Sequence, residues 1–320
     1  MIDTLILRRQ DEAQDICSLE LGAADGTPLP PFEPGAHIDV HLAPGLVRQY
    51  SLCPRSDQAG RYLIGVLLEP ASRGGSQAVH ALQAGQALRI GMPRNQFALA
   101  PGARRSLLFA GGIGITPLLA MAERLADQGA DLTLHCCSRT PARLAFGERL
   151  RTGPLNGRVR LHFDDGPPAQ KLDLDEALGA PEPDTHVYVC GPSGFMDWVL
   201  TGAQARGWPS AQLHREYFAA PAASAAATAG AEASFEVTLA STGASYRVPP
   251  GQSVIEVLAA HGVEVPVSCE QGVCGTCLTR VLEGTPDHRD VFLTDDEHRA
   301  NDCFTPCCSR ALSPRLVIDL

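Results

Sequence analysis

Over residues 1–102 the apolar positions come in short alternating runs, such as H-I-D-V-H-L (37–42) and R-Y-L-I-G-V-L-L-E (61–69), broken by glycine and proline. Period-two alternation at this spacing predicts an antiparallel sheet or small β-barrel. It also places His37, Asp39 and His41 on one face, which is expected to be solvated. After residue 102 the rhythm changes. S-L-L-F-A (106–110), D-L-T-L-H-C-C-S (131–138) and T-H-V-Y-V-C (185–190) read as strands, and L-L-A-M-A-E-R-L-A (118–126) reads as a helix. Strands alternating with helices predict a parallel α/β sheet over residues 103–218. A-A-P-A-A-S-A-A-A-T-A-G-A-E-A (219–233) has no periodic apolar face, and its Pro, Gly, Ser and Thr favour a flexible linker. Residues 234–320 open with a hairpin, S-F-E-V-T-L then A-S-Y-R-V-P. A helix follows, with a capping box at Ser253 and Glu256 and a stop at Gly262. That segment leads into a cysteine-rich loop.

Composition narrows the class. With 320 residues, 44% hydrophobic and 19% charged, the chain is expected to form two or three globular domains. A net charge of −10 argues against nucleic acid or an anionic membrane as partner. The opening M-I-D-T-L-I-L-R-R-Q is neither a secretory signal nor a span, so a cytoplasmic location is expected. Thiols stay reduced there, and 11 cysteines then read as metal ligands plus buried thiols.

Cys269, Cys274 and Cys277 follow C-x4-C-x2-C, the plant-type [2Fe–2S] spacing with a distant fourth cysteine. Structural zinc more often shows paired C-x2-C knuckles, of which there is one here. Gly272 and Gly275 would let the backbone turn tightly and aim N–H groups at the sulfurs. Three cysteines compete for fourth ligand: Cys303, Cys307 and Cys308. Neighbours on an extended chain point to opposite sides, so Cys307 and Cys308 cannot both ligate.

Two further stretches suit anions. G-G-I-G-I-T-P (111–117) joins a strand to a helix, where the amides of Gly111, Gly112 and Gly114 would approach a pyrophosphate, Thr116 would cap and Pro117 would begin the helix. No acid ends the next strand; Ser138 and Arg139 stand there, and an arginine could favour a 2′-phosphate. In R-Q-Y-S-L (48–52), Arg48 and Tyr50 share one strand face while Ser51 points away, a cation and a ring suited to a phosphate and a flavin plane. R-G-G-S (73–76) offers Arg73, the amides of Gly74 and Gly75 and the Ser76 hydroxyl as a second anion site at a helix start. A terminal phosphate there fits FMN.

C-E-Q-G-V-C-G-T-C, the later C-C-S-R-A and the terminal L-V-I-D-L resemble the ferredoxin end of the phthalate dioxygenase reductase family, and the resemblance covers the whole chain in the same domain order. It implies an FMN-binding β-barrel (1–102), a ferredoxin-reductase-like NAD-binding α/β domain (103–218), a linker (219–233) and an α+β, β-grasp plant-type ferredoxin (234–320). It selects Cys307, which precedes C-S-R, as the fourth ligand. It sets R-x-Y-S beside the flavin, with Thr116 among the flavin contacts, and Cys190, Gly191 and Pro192 (C-G-P) beside the nicotinamide. Phe218 of E-Y-F would lie near the flavin ring. The implied path runs from NADH to FMN to [2Fe–2S] to the Rieske centre of a terminal oxygenase, served by a monomeric reductase with no catalytic acid, base or nucleophile of its own. Two alternatives keep part of this: the same electron chain serving a cytochrome P450, or a redox-sensing iron–sulfur protein without turnover.

Overall fold

The N-terminal alternation resolves into seven antiparallel strands: β1 (Ile2–Ala13), β2 (Ile16–Ala23), β3 (Ala36–Ala43), β4 (Leu46–Cys53), β5 (Tyr62–Leu67), β6 (Ala87–Ile90) and β7 (Arg94–Asn95). A computed structural model describes residues 1–43, 45–53, 60–70, 72, 74–219 and 233–320; the expected linker and Arg73 fall almost wholly or wholly outside these residues. The strands follow the order β4-β5-β2-β1-β6-β3, and β3 returns to pair with β4, so six of them close a barrel. Closure removes the open edges that a flat sheet would expose. Ile6, Leu19, Leu21, Ile38, Val40, Leu52, Ile64 and Ile90 fill its interior. A short helix, α1 (Gly75–Ala81), lies between β5 and β6.

The second rhythm gives a parallel sheet of β8 (Arg105–Gly111), β9 (Asp131–Ser138), β10 (Val159–Phe163), β11 (Thr185–Cys190) and β12 (Leu213–Glu216), in the order β10-β9-β8-β11-β12. Helices α2 (Ile115–Asp127), α3 (Gly147–Arg151), α4 (Leu174–Leu178) and α5 (Ser193–Ala205) connect them. The strand order reverses between β8 and β11, the kind of switch point at which open α/β sheets bind ligands. Barrel and sheet share one core, in which Cys53 and Leu63 join Leu118, Leu119 and Ala122 of α2 and Phe146. Gly65 makes the approach possible. A Cβ there would come within 3.0 Å of both Phe146 and the Thr116 methyl. These strands and helices form one unit, Met1–Glu216.

The other unit, Tyr217–Leu320, contains β13 (Phe235–Leu239), β14 (Ser245–Val248), α6 (Val254–Ala260), β15 (Thr279–Glu283), β16 (Pro286–Asp287), α7 (Asp295–Ala300), β17 (Cys303–Phe304), β18 (Arg310–Ala311) and β19 (Arg315–Ile318). Its sheet runs β14-β13-β19-β15-β17, with the first strand lying parallel to the last at β13–β19. The expected hairpin is β13–β14, with Phe235 opposite Val248. Both arms of the expected capping box on α6 form: Ser253 Oγ accepts from Glu256 N, and Glu256 accepts from Ser253 N at 2.7 Å. Val254, Val257 and Leu258 of that helix pack on Phe235, Val237, Val248, Leu316 and Ile318.

Two local expectations need correction. A 3₁₀ turn at Gly112–Gly114 precedes α2, so the helix begins at Ile115; Pro117 is its third residue, and Thr116 donates to the Ile113 carbonyl instead of capping. The His37–Asp39–His41 face is not solvated either. His37 is 5% exposed, and Asp39 is half-buried and bound to Arg94 at 2.7 Å. Long-range packing within the unit covers that strand face.

Candidate redox site

In the second unit the cysteine loop runs from α6 to β15. Gly272 (φ +70°) and Gly275 (φ +66°) hold left-handed turns, and neither has room for a side chain. A Cβ on Gly272 would strike Cys308 Sγ and lie 2.8 Å from Asp290 Cβ; one on Gly275 would strike the Phe292 ring. These turns aim amides at sulfur: Gln271 N donates to Cys269 Sγ at 3.4 Å and Thr276 N to Cys274 Sγ at 3.5 Å. The Cys307 thiol interacts with those of Cys269, Cys277 and Cys308, and the Cys269 thiol with that of Cys274. Residues 306–308 form a turn and not the extended run that would set Cys307 and Cys308 on opposite sides. The loop and the distant C-S-R segment therefore meet. The sequence of that segment explains its placement: the buried Ser309 hydroxyl accepts from Arg289 N, and Arg310 reaches the carbonyls of Gln252, Pro249 and Ala233. Cys308 Sγ is engaged by Thr305 Oγ1 at 3.3 Å.

The quartet fits an iron–sulfur cluster better than zinc. A single tetrahedral zinc, with Zn–S of about 2.3 Å, would hold all four sulfurs about 3.8 Å apart. Among the described residues, the metal-ligand triad whose atoms all lie within 4.8 Å of one another is His288, Asp290 and His298, and no three of these cysteines meet that limit. Sulfurs in contact as neighbours but not as a compact set suit a group with more than one metal ion. Cys269, Cys274, Cys277 and Cys307 would hold it by thiolate bonds, with the loop amides tuning its potential.

In the first unit, two loops meet at the switch point. Gly111, Gly112 and Gly114 leave β8, and Cys190, Gly191 and Pro192 leave β11. A Cβ on Gly111 would lie 2.7 Å from Phe195 and 3.0 Å from Pro192, and one on Gly114 would strike the Cys190 carbonyl. Gly112 (φ +53°) has nothing within 4 Å of its missing side chain, which leaves that side of the turn open to a pyrophosphate. Ser138 is buried and donates to the Thr140 carbonyl, whereas Arg139 is exposed at the end of β9. Asp164 N and Asp165 N bond to the carbonyls of Ser138 and Arg139, so two acidic residues stand at the same edge.

On the barrel, β3 pairs His37 with Ser51 and Val40 with Arg48. Arg48 lies against the start of α1: a Cβ on Gly75 would sit 2.5 Å from Arg48 Cγ and 2.8 Å from its Nε. Gly74 (φ +88°) precedes this helix, whose start carries no side-chain cap. Its first amides and the guanidinium therefore face one region, an arrangement suited to a phosphate. Ser76 Oγ accepts from Glu69 N at 3.1 Å and keeps its proton to donate. Tyr50 is partly buried against the barrel core, and burial pushes its phenol upward.

The sequence reading passed over Glu216, the residue two before Phe218. Ser51 Oγ donates to Glu216 Oε2 at 3.3 Å, and His37 Nδ1 lies 4.0 Å from Glu216 Oε1. Burial raises this carboxyl to about 8, against a smaller lowering by the Ser51 bond. The E-x-F pattern marked the place, but Phe218 drew attention for its ring. Phe218 itself is 42% exposed and belongs to the second unit.

Two family models match: an oxidoreductase NAD-binding domain over residues 108–200 and a 2Fe-2S iron-sulfur cluster binding domain over residues 237–312. The chain is 56% identical over 322 residues to the vanillate O-demethylase oxidoreductase of Pseudomonas putida, covering 100% of both. A solved structure of phthalate dioxygenase reductase matches with a TM-score of 0.73 and 38% identity, over 100% of this chain and 98% of that one. An intact type IV self-sufficient cytochrome P450 monooxygenase matches with a TM-score of 0.86 and 35% identity, over 100% of this chain and 41% of that one. The match to known reductases thus runs through both units, from one end of the chain to the other. The chain belongs to the phthalate dioxygenase reductase-like family of NAD-dependent flavin and iron–sulfur oxidoreductases, in which electrons pass from NADH through a flavin to a [2Fe–2S] cluster.

Proposed function

We propose that this chain is the FMN-carrying, NADH-specific reductase of a vanillate O-demethylase, delivering electrons to the Rieske centre of its terminal oxygenase. The observation that carries the reading is end-to-end identity of 56% to an oxidoreductase of that name. When bound, the flavin takes two electrons from a nicotinamide and the [2Fe–2S] cluster carries them singly to the partner.

The chain's residues bind and orient. Arg48 and the amides of Gly74 and Gly75, with Arg73 and Ser76, would hold a terminal phosphate, which favours FMN. Tyr50, Ser51 and Thr116 would complete the flavin contacts within the first unit. Glu216 holds a proton on its carboxyl to about pH 8, bonded to Ser51 on the strand that carries Arg48 and Tyr50. Gly111, Gly112, Gly114, Thr116 and Pro117 would hold the pyrophosphate, and Cys190, Gly191 and Pro192 the nicotinamide end. Arg139 would invite a 2′-phosphate, but Asp164 and Asp165 beside it oppose one, which favours NADH. Residues 1–102, 103–218 and 234–320 serve as flavin, nucleotide and ferredoxin domains, joined by residues 219–233.

A second reading has its own support, because a module of this kind is found within a P450 monooxygenase. Reconstitution separates the two. The purified protein, NADH and a Rieske-type vanillate oxygenase should release formaldehyde from vanillate with matching NADH oxidation. Turnover with a P450, and none with any Rieske oxygenase, would favour the second. Chromatography of the extracted flavin should give FMN; stoichiometric FAD would overturn that assignment.

A further inference from the structure

Behind the cysteine loop, His288 and Asp290 follow β16, and His298 lies on α7. The Asp290 carboxylate is fully buried, and the His288 side chain is 10% exposed. His298 Nε2 lies 3.3 Å from both Asp290 oxygens, and His288 Nδ1 lies 3.7 Å from Oδ1. These separations are longer than the roughly 2.7–2.9 Å of charge-assisted hydrogen bonds. They are close to the edges, about 3.3 Å, of a tetrahedron of ligands around zinc with bonds of about 2.0–2.1 Å.

The hydrogen bonds around the site assign the protons. Asn301 Nδ2 donates to the Arg299 carbonyl, so Asn301 Oδ1 faces His288 Nε2 and accepts its N–H at 3.2 Å. His288 Nδ1 is then a bare lone pair. It is buried, has no hydrogen-bond partner and is aimed at a carboxylate oxygen. Two acceptors facing each other in a buried place repel unless a proton or a metal cation lies between them. The outer contacts also match a metal site. Asn301 orients the ring of His288, while Leu293 N, at 2.8 Å, and Ser309 Oγ, at 3.4 Å, hold the carboxylate.

We infer that His288 Nδ1, Asp290 and His298 Nε2 form a divalent-metal site, distinct from the cysteine quartet, that takes Zn²⁺. Two imidazoles and one carboxylate suit that borderline ion, and a water would complete the shell on the side of the partly exposed His298. An ion there braces the cysteine loop, because Asp290 packs on Gly272 and Val291 N bonds to the Gly272 carbonyl.

The test is calorimetric titration of Zn²⁺ into the full-length protein carrying its cluster, with visible absorbance reporting that the cluster survives. Wild type should bind one Zn²⁺ at this site, and His288→Asn and His298→Asn should each weaken it at least ~10-fold. Zn²⁺ should also raise the wild-type melting temperature and leave that of His298→Asn unchanged, since only a ligand bound to the native state stabilises it. His298 lies on the surface of α7, so its variant folds even where a variant of the buried His288 does not. Equal Zn²⁺ binding by wild type and His298→Asn, or none by wild type, would overturn the site.

Discussion

Single residues decide whether electrons have a place to rest. Cys307→Ala should abolish the [2Fe–2S] signal in visible and EPR spectra, because its sulfur meets those of Cys269 and Cys277. Cys303→Ala and Cys308→Ala should keep it, since Cys308 Sγ is already engaged by Thr305. A normal cluster in Cys307→Ala would move the fourth ligand elsewhere. Glu216 gives a second test, through stability. Its carboxyl titrates near 4.5 when the chain is unfolded and near 8 when buried. Below pH 4.5 both states are neutral and nothing is lost. As pH climbs from 4.5 to 8 the unfolded chain releases a proton that the folded chain keeps, so stability declines, and above 8 the loss is complete. Glu216→Gln keeps the neutral shape and cannot ionise. It should melt higher than wild type at pH 9 and alike at pH 5. A higher melting temperature at pH 5 alone would reverse the sign and contradict the buried acid.

At the scale of elements, the loops that leave β8 and β11 depend on close backbone approach. Gly114 lies on the Cys190 peptide with no room for a methyl group. Gly114→Ala should destabilise the first unit by about 1–3 kcal/mol, read by denaturant unfolding, and should slow NADH-dependent ferricyanide reduction. A variant of wild-type stability and rate would show that the two loops do not need their contact. Much at this scale was legible in the chain. Alternation gave the barrel strands, the Gly-rich turn gave the β8–α2 connection, and Ser253 with Glu256 gave the start of α6, because each signal is local. What was not legible depended on distant partners. The His37–Asp39–His41 face looked solvated because nothing nearby in sequence covers it, yet Glu216 comes to His37 from 179 positions away (216 − 37). Thr116 looked like a cap because an inserted 3₁₀ turn has no strong signature in G-G-I-G-I-T-P. His288, Asp290 and His298 carry no spacing signature of their own, and only the fold gathers them.

At the scale of the whole molecule, the chain divides at Glu216 and Tyr217, and the cysteine quartet lies wholly in the second unit. Among the described residues no helix is long and apolar enough to cross a membrane. The residues proposed to hold the flavin and the nucleotide lie in the first unit, apart from Phe218. Removing residues 234–320 should therefore leave a flavoprotein that still reduces ferricyanide with NADH; a flavin-free or unfolded product would show that the second unit completes the first. The claim that joins the units is that NADH, bound in one, reduces a cluster held in the other. Anaerobic addition of NADH to the purified, cluster-loaded protein, followed by low-temperature EPR, tests it most directly. The account predicts a rhombic [2Fe–2S] signal approaching one spin per chain, absent from Cys307→Ala, in which NADH still bleaches the flavin. A flavin bleached by NADH beside a cluster that stays oxidised and silent, yet is reducible by dithionite, would contradict it.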